Sequence, residues 1–172
     1  MPRIIIAGGT LDKTYDPIKG ELGFGETHIY DMLEQARLFG EVAVQELMLM
    51  DSLDMNDDHR MRIAEACLES PEERIVVTHG TDTMVQTGRV IADMLRLYAR
   101  QREKTVVLTG AMVPYSVGEP ASDAMFNLGT ALTYAQSLSE GVWIAMNGRA
   151  LDIEYVIKDT ERGMFVTPTE LA

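Results

Sequence analysis

The sequence is poor in residues that form disulfides or bind metals. Cys67 is the only cysteine among 172 residues, so no disulfide can form within the chain. It lies in a helical pattern, where a free cysteine behaves as a small buried hydrophobic residue. The three histidines, His28, His59 and His79, are scattered and show no metal-ligand spacing. We expect neither a metal nor another cofactor.

Basic residues are also scarce, and long hydrophobic runs are absent. Lys and Arg number 15 against 27 Asp and Glu, which gives a net charge of -12. That charge repels a phosphate backbone, and no local Lys/Arg cluster offsets it, so nucleic acid is not an expected partner. No apolar run approaches the ~18 residues of a membrane span, and no apolar signal region follows Met1. We expect a cytoplasmic protein without a membrane-spanning segment.

The hydrophobic pattern predicts alternating strands and helices. Apolar runs predict strands at 3–7, 42–49, 74–78, 105–110 and 142–147. Helical periodicity predicts helices at 27–40, from residue 56 or 57, at 82–98 and at 122–137. Continuously apolar strands such as Ile4-Ile5-Ile6 suit a sheet that is covered on both faces. The sequence therefore predicts an α/β fold with a doubly wound, largely parallel sheet, in one domain over residues 1–172.

One interval lacks a recognisable pattern. Residues 8–26 contain Pro17 and several glycines but neither clear helical nor clear strand periodicity. Long structureless connections in compact domains often form lids over sites, and this one carries Tyr15. Thr27 is the expected N-cap of the following helix. The next tyrosine, Tyr30, falls inside that helix, where we expect it to pack.

Three predicted strands end in glycines, and two of these ends present a threonine. Thr10 follows Gly8-Gly9, Thr81 follows His79-Gly80, and the third strand ends at Gly110-Ala111. The carboxyl ends of parallel strands share one edge of a sheet, where α/β proteins keep their chemistry. A threonine hydroxyl attacks a carbonyl only when a base takes its proton. A lid tyrosine, or Thr81 paired with a desolvated lysine, could provide that base, which suggests nucleophilic amide hydrolysis.

Each of these residues also has a simpler interpretation. The Gly-Gly-Thr segment could be a turn that ends a strand. Thr81 and Asp82 fall at the expected start of a helix, where both residue types are favoured caps. The same helix end could offer backbone N–H groups to an oxyanion, with the Asp82 carboxylate near a substrate ammonium. Lys158, followed by Asp159, could be a solvated surface charge.

Six segments together resemble the bacterial type I and II L-asparaginases, in the order and near the spacing of that family. They are Gly8-Gly9-Thr10, Ser52-x-Asp54-Met55-Asn56-Asp57, His79-Gly80-Thr81-Asp82-Thr83-Met84, Gly110-Ala111-Met112-x-Pro114, Phe126-Asn127-Leu128 and Lys158. The segment that begins at His79 is the most specific of them. The resemblance extends over nearly the whole chain and implies the fold of the asparaginase N-terminal domain.

The resemblance implies two catalytic groups. Thr10 would be the nucleophile that forms an aspartyl-enzyme intermediate, and Tyr15 on the lid would help to deprotonate it. Thr81, Asp82 and Lys158 would form the second group, in which Thr81 orients or activates the water or the amide and Lys158 moves its proton. No cofactor is implied.

The resemblance also implies how L-asparagine would bind. Ser52 matches the position that binds the α-carboxylate, and Asp82 would contact the α-ammonium. Ala111, together with Gly80 and the Thr81 N–H, would frame the carboxamide and its oxyanion. The implied reaction converts L-asparagine and water to L-aspartate and ammonia. Since one methylene contributes only ~1 to 3 kcal/mol to discrimination, weak glutaminase activity is also expected.

The sequence departs from the family pattern at two points. Family members have a second, smaller domain, which contributes a carboxylate to the substrate ammonium from a neighbouring subunit, whereas this sequence ends at Ala172. Leu53 stands where glutamine is common. Two lost polar contacts of ~1 to 3 kcal/mol each predict a high KM for asparagine, unless Glu119, Glu26 or a partner chain supplies the carboxylate. An uncovered apolar surface would favour a homo-oligomer.

A different class of function remains open from the sequence. A shortened relative could bind asparagine or aspartate without turnover and act as a sensing module through a partner. The joint presence of Thr10, Thr81, Asp82 and Lys158 favours the enzyme, because binding alone does not require a lysine behind a threonine.

Overall fold

The computed structural model describes residues 1–98, 103–116 and 121–171. Its strands are β1 (Arg3–Gly8), β2 (Lys13–Asp16), β3 (Glu21–Phe24), β4 (Val44–Met50), β5 (Arg74–Thr78), β6 (Thr105–Thr109), β7 (Gly141–Met146), β8 (Arg149–Asp152), β9 (Ile157–Asp159) and β10 (Met164–Val166). Its α-helices are α1 (Ile29–Gln35), α2 (Asp57–Glu69), α3 (Met84–Tyr98) and α4 (Ala124–Ser137). Short 3-10 helices cover Thr10–Asp12 and Pro168–Glu170.

A six-stranded sheet in the order β4-β1-β5-β6-β7-β8 forms the centre of the molecule. Its strands pair in parallel except β7 with β8, and two separate hairpins are formed by β2 with β3 and by β9 with β10. The α/β fold with a largely parallel sheet, predicted from the sequence, is confirmed. The order places β1, β5 and β6 side by side, so their carboxyl ends lie next to one another.

Helices cover both faces of the sheet. Successive residues of β1 face opposite sides, as strand geometry requires. Ile5 packs in one cluster with Ile63 of α2 and Ile91 of α3, and all three are fully buried. Ile4 lies in the opposite cluster with Leu128 of α4 and the buried residues of α1. A strand that is buried on both faces has no side in contact with solvent, and this explains the unbroken apolar run of β1.

The predicted strands agree with the observed ones to within two residues, and α2 begins where it was expected. Asn56 caps α2: its side chain accepts a hydrogen bond from the N–H of His59 at 3.0 Å, and the His59 ring accepts one from the N–H of Asn56 at 3.2 Å. Cys67 is fully buried, and burial raises the pKa of its thiol to about 12.

Three local predictions differ from the structure. The N-cap position of α1 is His28, one residue later than predicted, although the Thr27 hydroxyl accepts the N–H of Ile29 at 3.2 Å and donates to Asp12 at 2.8 Å. Tyr30 lies in α1 but is 56% exposed, because it falls on the face turned away from the sheet. Helix α3 begins at Met84, so Thr81 and Asp82 precede the helix as part of a bent loop.

The interval without a sequence pattern is a folded hairpin. After the short helix at Thr10–Asp12, β2 and β3 pair in antiparallel register, with Tyr15 opposite Leu22. The hairpin stands away from the central sheet and is mostly exposed, so its strands do not show the apolar alternation of a half-buried sheet. Among the described residues, no helix combines the length and apolar character needed to span a membrane.

Candidate active site

The loops that follow β1, β5 and β6 pack against one another with their backbones in contact, and the Ser52 side chain in the turn after β4 packs against Gly80. Gly9 has φ +87°, and a Cβ atom there would lie 2.3 Å from the nitrogen of Gly80. A Cβ on Gly80 would lie 2.6 Å from Oγ of Ser52, and one on Gly110 would lie 2.3 Å from the carbonyl oxygen of His79. No side chain fits at these three positions. The glycines therefore bring the loops that carry the candidate residues to one place.

His79 is buried beneath this meeting point and holds the loop after β5. Its Nδ1 donates to the carbonyl of Gly80 at 2.8 Å, which requires the proton on Nδ1, and its Nε2 accepts from the Thr87 hydroxyl at 2.8 Å. Burial lowers the pKa of His79 to about 4, so the ring is neutral at physiological pH. Both ring nitrogens are satisfied, and the ring fixes the peptide that leads into Thr81. The sequence indicated that His79 belonged to a specific motif but not that it has this positioning contact.

Thr81, Asp82 and Lys158 form a hydrogen-bonded group. The Lys158 ammonium donates to Oγ1 of Thr81 at 2.9 Å and to Oδ1 of Asp82 at 2.5 Å. The lysine side chain is only 11% exposed, so it is not a solvated surface charge. It is carried by β9, where it pairs across the hairpin with the buried Phe165 of β10. The nitrogen of this lysine is therefore held within hydrogen-bonding distance of the Thr81 hydroxyl.

Ser52 lies in the turn after β4 and is 1% exposed. The N–H of Thr83 approaches its hydroxyl oxygen at 3.4 Å, and the Thr83 hydroxyl donates to the Ser52 carbonyl at 2.8 Å. The turn is shaped by Asp51, whose carboxylate accepts the N–H of Leu53 at 2.9 Å. Leu53 itself is 70% exposed. The structure therefore joins Ser52 to the loop that carries Thr81 and Asp82.

Thr10 and Tyr15 are not joined in this structure. Thr10 starts the short helix after Gly9 and is partly exposed, and within the described parts of the chain its hydroxyl makes no hydrogen bond. Tyr15 is 55% exposed on β2 and makes no hydrogen bond to Thr10 there. Thr10 directly follows Gly9, and Thr81 directly follows Gly80, so the contact of the two glycines keeps the two threonine-bearing turns adjacent.

Asp12 closes the base of the hairpin, a role that the sequence pattern did not indicate. It is fully buried, and its Oδ1 accepts from the Thr27 hydroxyl at 2.8 Å and from the N–H of His28 at 2.9 Å. Its Oδ2 has no partner among the described residues, and burial raises the pKa of this carboxyl. Asp12 and Thr27 flank the hairpin from opposite sides, so no local sequence pattern links them.

Ala111 is buried in a loop that is held by two polar side chains. One carboxylate oxygen of Asp123 accepts the N–H groups of Met112 and Val113, each at 3.0 Å. The fully buried Asn127 donates to the carbonyl of the glycine before Ala111 at 3.0 Å. Asn127 belongs to one of the six sequence segments, but its role was not apparent without this contact.

The carboxylate that would hold a substrate ammonium remains a prediction. Glu26 is exposed, and Glu119 lies outside the described residues. Within the described ranges, no group of three or more His, Cys, Asp or Glu side chains is placed to hold a metal ion.

Comparison with known protein families identifies the family of this chain. The family described as "Asparaginase, N-terminal" matches residues 3–167. The chain belongs to the asparaginase family. The family predicted from the sequence motifs is thereby confirmed.

Two curated relatives are similar to this chain over different lengths. The L-asparaginase of Thermococcus kodakarensis is 32% identical over 149 residues, which cover 83% of this chain and 42% of that protein. A glutamyl-tRNA(Gln) amidotransferase subunit of Pyrococcus furiosus is 38% identical over 104 residues, covering 59% of this chain and 22% of that protein. This chain therefore spans less than half the length of these two curated relatives.

A solved asparaginase structure shows the same fold. The thermostable L-asparaginase from Thermococcus kodakarensis superposes with a TM-score of 0.80 at 27% sequence identity. The match covers 97% of this chain and 51% of that one. The asparaginase-like arrangement of strands and helices thus extends over nearly all of this chain.

The contact between Gly9 and Gly80 predicts a large difference between two glycine-to-alanine substitutions. Gly9→Ala forces a side chain into the Gly80 backbone at positive φ and should lower the free energy of unfolding by about 1–3 kcal/mol. Gly129→Ala, in α4 with no atom within 4 Å of the added carbon, should raise it by roughly 0.5–1 kcal/mol. Urea unfolding measures both. Equal effects of the two substitutions would contradict the role given to the close approach.

The buried His79 predicts a pH dependence of stability. Its pKa is about 4 in the folded state against an ordinary value of 6.5, so between these values the unfolded chain binds the additional proton. The free energy of unfolding should therefore fall as the pH falls from about 6.5 to about 4. His79→Gln lacks this titration and should show a flatter dependence in urea unfolding over the same range. Parallel curves for the two proteins would mean that His79 is not buried and neutral.

Proposed function

We propose that this chain hydrolyses L-asparagine to L-aspartate and ammonia with Thr10 as the nucleophile. The observation that carries the proposal is the group formed by Thr81, Asp82 and the nearly buried Lys158. It lies at the edge of the sheet where the turn with Thr10 meets the loop with Thr81. Membership of the asparaginase family supports the amide as the bond that is broken. Since the chain spans only part of the length of its relatives, their activity is proposed for this chain and not assigned to it.

In the first half of the reaction, Thr10 would form an ester with the substrate. Its hydroxyl oxygen attacks the side-chain carboxamide carbon as a base takes the hydroxyl proton. The C–N bond then breaks, the nitrogen receives a proton, and ammonia leaves. The negative oxygen of the intermediate would face the backbone N–H of Thr81 and the loop of Gly80, which His79 holds rigidly.

In the second half, water would release aspartate. A water molecule attacks the ester carbonyl as its proton passes towards the Thr81 hydroxyl and the nitrogen of Lys158. The ester bond breaks, Thr10 recovers its proton, and L-aspartate leaves. Asp82 accepts a hydrogen bond from Lys158 and would stabilise the ammonium that forms during the transfer.

The geometry favours one of the two candidate bases for the first step. Thr81 and Lys158 are already hydrogen-bonded, and Thr81 lies on a loop in contact with the turn of Thr10. Tyr15 is more than half exposed and makes no hydrogen bond to Thr10, so its participation would require the hairpin to move. We therefore propose that the Thr81–Lys158 pair takes the Thr10 proton while the hairpin is open. Tyr15 takes the same proton once the hairpin has closed.

Substrate binding would use the polar groups around this edge. Ser52 would bind the α-carboxylate, Asp82 would use its second oxygen for the α-ammonium, and the Gly80 and Ala111 loops would frame the carboxamide. The Leu53 side chain offers no hydrogen bond to a substrate, which supports a high KM, and weak glutaminase activity stays within the proposal. Self-association, which would place a partner carboxylate near the ammonium, also remains part of the proposal.

A second candidate is amide hydrolysis within a larger assembly. The similarity to a glutamyl-tRNA(Gln) amidotransferase subunit, at 38% identity over 104 residues, favours it. In that case the chain would share the proposed chemistry of Thr10 but would need partner subunits for efficient turnover. A sensing module, by contrast, would bind asparagine or aspartate and release no ammonia.

Ammonia release from L-asparagine and L-glutamine, over a wide concentration range, tests the proposal. Thr10→Val should lower kcat/KM for asparagine by on the order of 10³, because it removes the nucleophile, and Lys158→Met should lower kcat by a similar factor, because it slows the release of the ester. Thr133→Val is the matched control, because the Thr133 hydroxyl bonds within α4, to the Gly129 carbonyl at 2.9 Å. Its activity should equal that of the wild type.

The contrary results separate the alternatives. Binding of asparagine without ammonia release by the wild type would support the sensing module. Full activity in Thr10→Val would exclude this threonine as the nucleophile.

A further inference from the structure

Lys13 makes an ion pair that joins two parts of the candidate site. It is the first residue of β2, three positions after Thr10, and its ammonium pairs with the carboxylate of Asp51. Asp51 directly precedes Ser52. The two side chains are only 20% and 27% exposed, and the hydrogen bond from Lys13 lowers the pKa of Asp51. An ion pair this sheltered is screened less by solvent than a surface pair.

Lys13 makes three more contacts, two through its backbone and one through its ammonium. Its N–H donates to the carbonyl of Thr10, and its own carbonyl accepts the hydroxyl of Ser116, in the loop after β6, at 2.9 Å. Its ammonium lies 5.8 Å from the centre of the Phe24 ring, which is its partner across the hairpin. Lys13 is therefore the residue at which the turn of Thr10, the hairpin, the turn after β4 and the loop after β6 are connected.

Strand geometry relates this ion pair to Tyr15. Side chains two positions apart on a strand point to the same face, so Lys13 and Tyr15 share one face of the hairpin. The face that Lys13 holds against the turn of Asp51 is thus the face that carries Tyr15. Any tilt of the hairpin that separated Lys13 from Asp51 would also change the position of Tyr15 relative to Ser52.

We propose that Lys13 is a positioning residue whose ion pair with Asp51 fastens the base of the hairpin to the substrate-binding turn. This inference rests on the proposed function for its catalytic consequence, but the fastening itself does not depend on activity. In this arrangement Lys13 does not contact the substrate. It holds the base of the hairpin beside the turn of Ser52, so that Tyr15 has fewer positions to search when the hairpin closes on asparagine.

Loss of the lysine charge should release the hairpin without unfolding the protein. Lys13→Met keeps the length of the stem but leaves the partly buried Asp51 carboxylate without its cation, which is unfavourable until the turn moves towards solvent. Lys13→Arg retains the charge and should retain the fastening. Lys19→Met is the matched control, because Lys19 lies in the same hairpin and its ammonium forms an exposed pair with Asp16 at 3.9 Å.

Amide hydrogen exchange without substrate tests the fastening. In Lys13→Met, the β2 and β3 amides should exchange about tenfold faster than in the wild type, while the amides of β5 and β6 keep their rates. Lys13→Arg and Lys19→Met should match the wild type. Unchanged exchange of the hairpin in Lys13→Met overturns the proposal, whether or not the wild type hydrolyses asparagine.

Steady-state kinetics on asparagine test the catalytic consequence. Lys13→Met should raise KM about tenfold with a smaller loss of kcat, Asp51→Asn should do the same, and the double variant should be no worse than either one. Lys13→Arg should recover most of the wild-type KM, which a purely steric role would not predict. A released hairpin with unchanged KM and kcat overturns the positioning role. If the wild type shows no turnover but the hairpin amides still exchange faster in Lys13→Met, the proposed function and the positioning role are rejected. The fastening is then still supported.

Discussion

The candidate site depends on the close approach of backbones at one edge of the sheet. Gly9 touches Gly80, Gly80 touches Ser52, and Gly110 touches His79, each at a distance that excludes a Cβ atom. These contacts fix the relative positions of loops that are far apart in the sequence. A hydroxyl that attacks a carbonyl requires its base and its oxyanion donors to be placed in advance, and rigid contacts between loops provide that placement.

Buried polar groups maintain this arrangement from below. His79 holds the Gly80 carbonyl, Asn127 holds the loop of Ala111, and Asp12 holds the base of the hairpin. Each of these side chains is fully buried, where a lost hydrogen bond is costly, so each loop has few alternative positions. Thr10 and Tyr15 differ from them, because the edge that would receive the substrate is left partly exposed. The site thus combines a rigid floor with a mostly exposed hairpin, whose first residue, Lys13, pairs with Asp51 beside Ser52.

Local patterns in the sequence were sufficient for the five parallel strands of the sheet and for the edge where the threonines lie, but not for the antiparallel edge strand β8. Unbroken apolar runs and terminal glycines are local features, and they alone locate the ends of β1, β5 and β6. The hairpin was missed because it is mostly exposed and lacks apolar alternation. Asp12 and Lys13 were missed because their partners, Thr27 and Asp51, are distant in sequence and the contacts depend on tertiary structure. The motif that contains His79 indicated a site, but the hydrogen bonds that explain it depend on how the loops pack.

The central claim is that Thr10 forms an ester with the substrate, and mass spectrometry of the quenched enzyme tests it most directly. Under the proposal that Tyr15 takes the Thr10 proton once the hairpin has closed, Lys158→Met should slow the attack of water more than the formation of the ester. An aspartyl adduct should therefore accumulate when this variant is mixed with asparagine and quenched in acid. Peptide mapping should place the adduct on Thr10 and find none in Thr10→Val. An adduct on Thr81 would contradict the account, as would asparagine turnover by Thr10→Val.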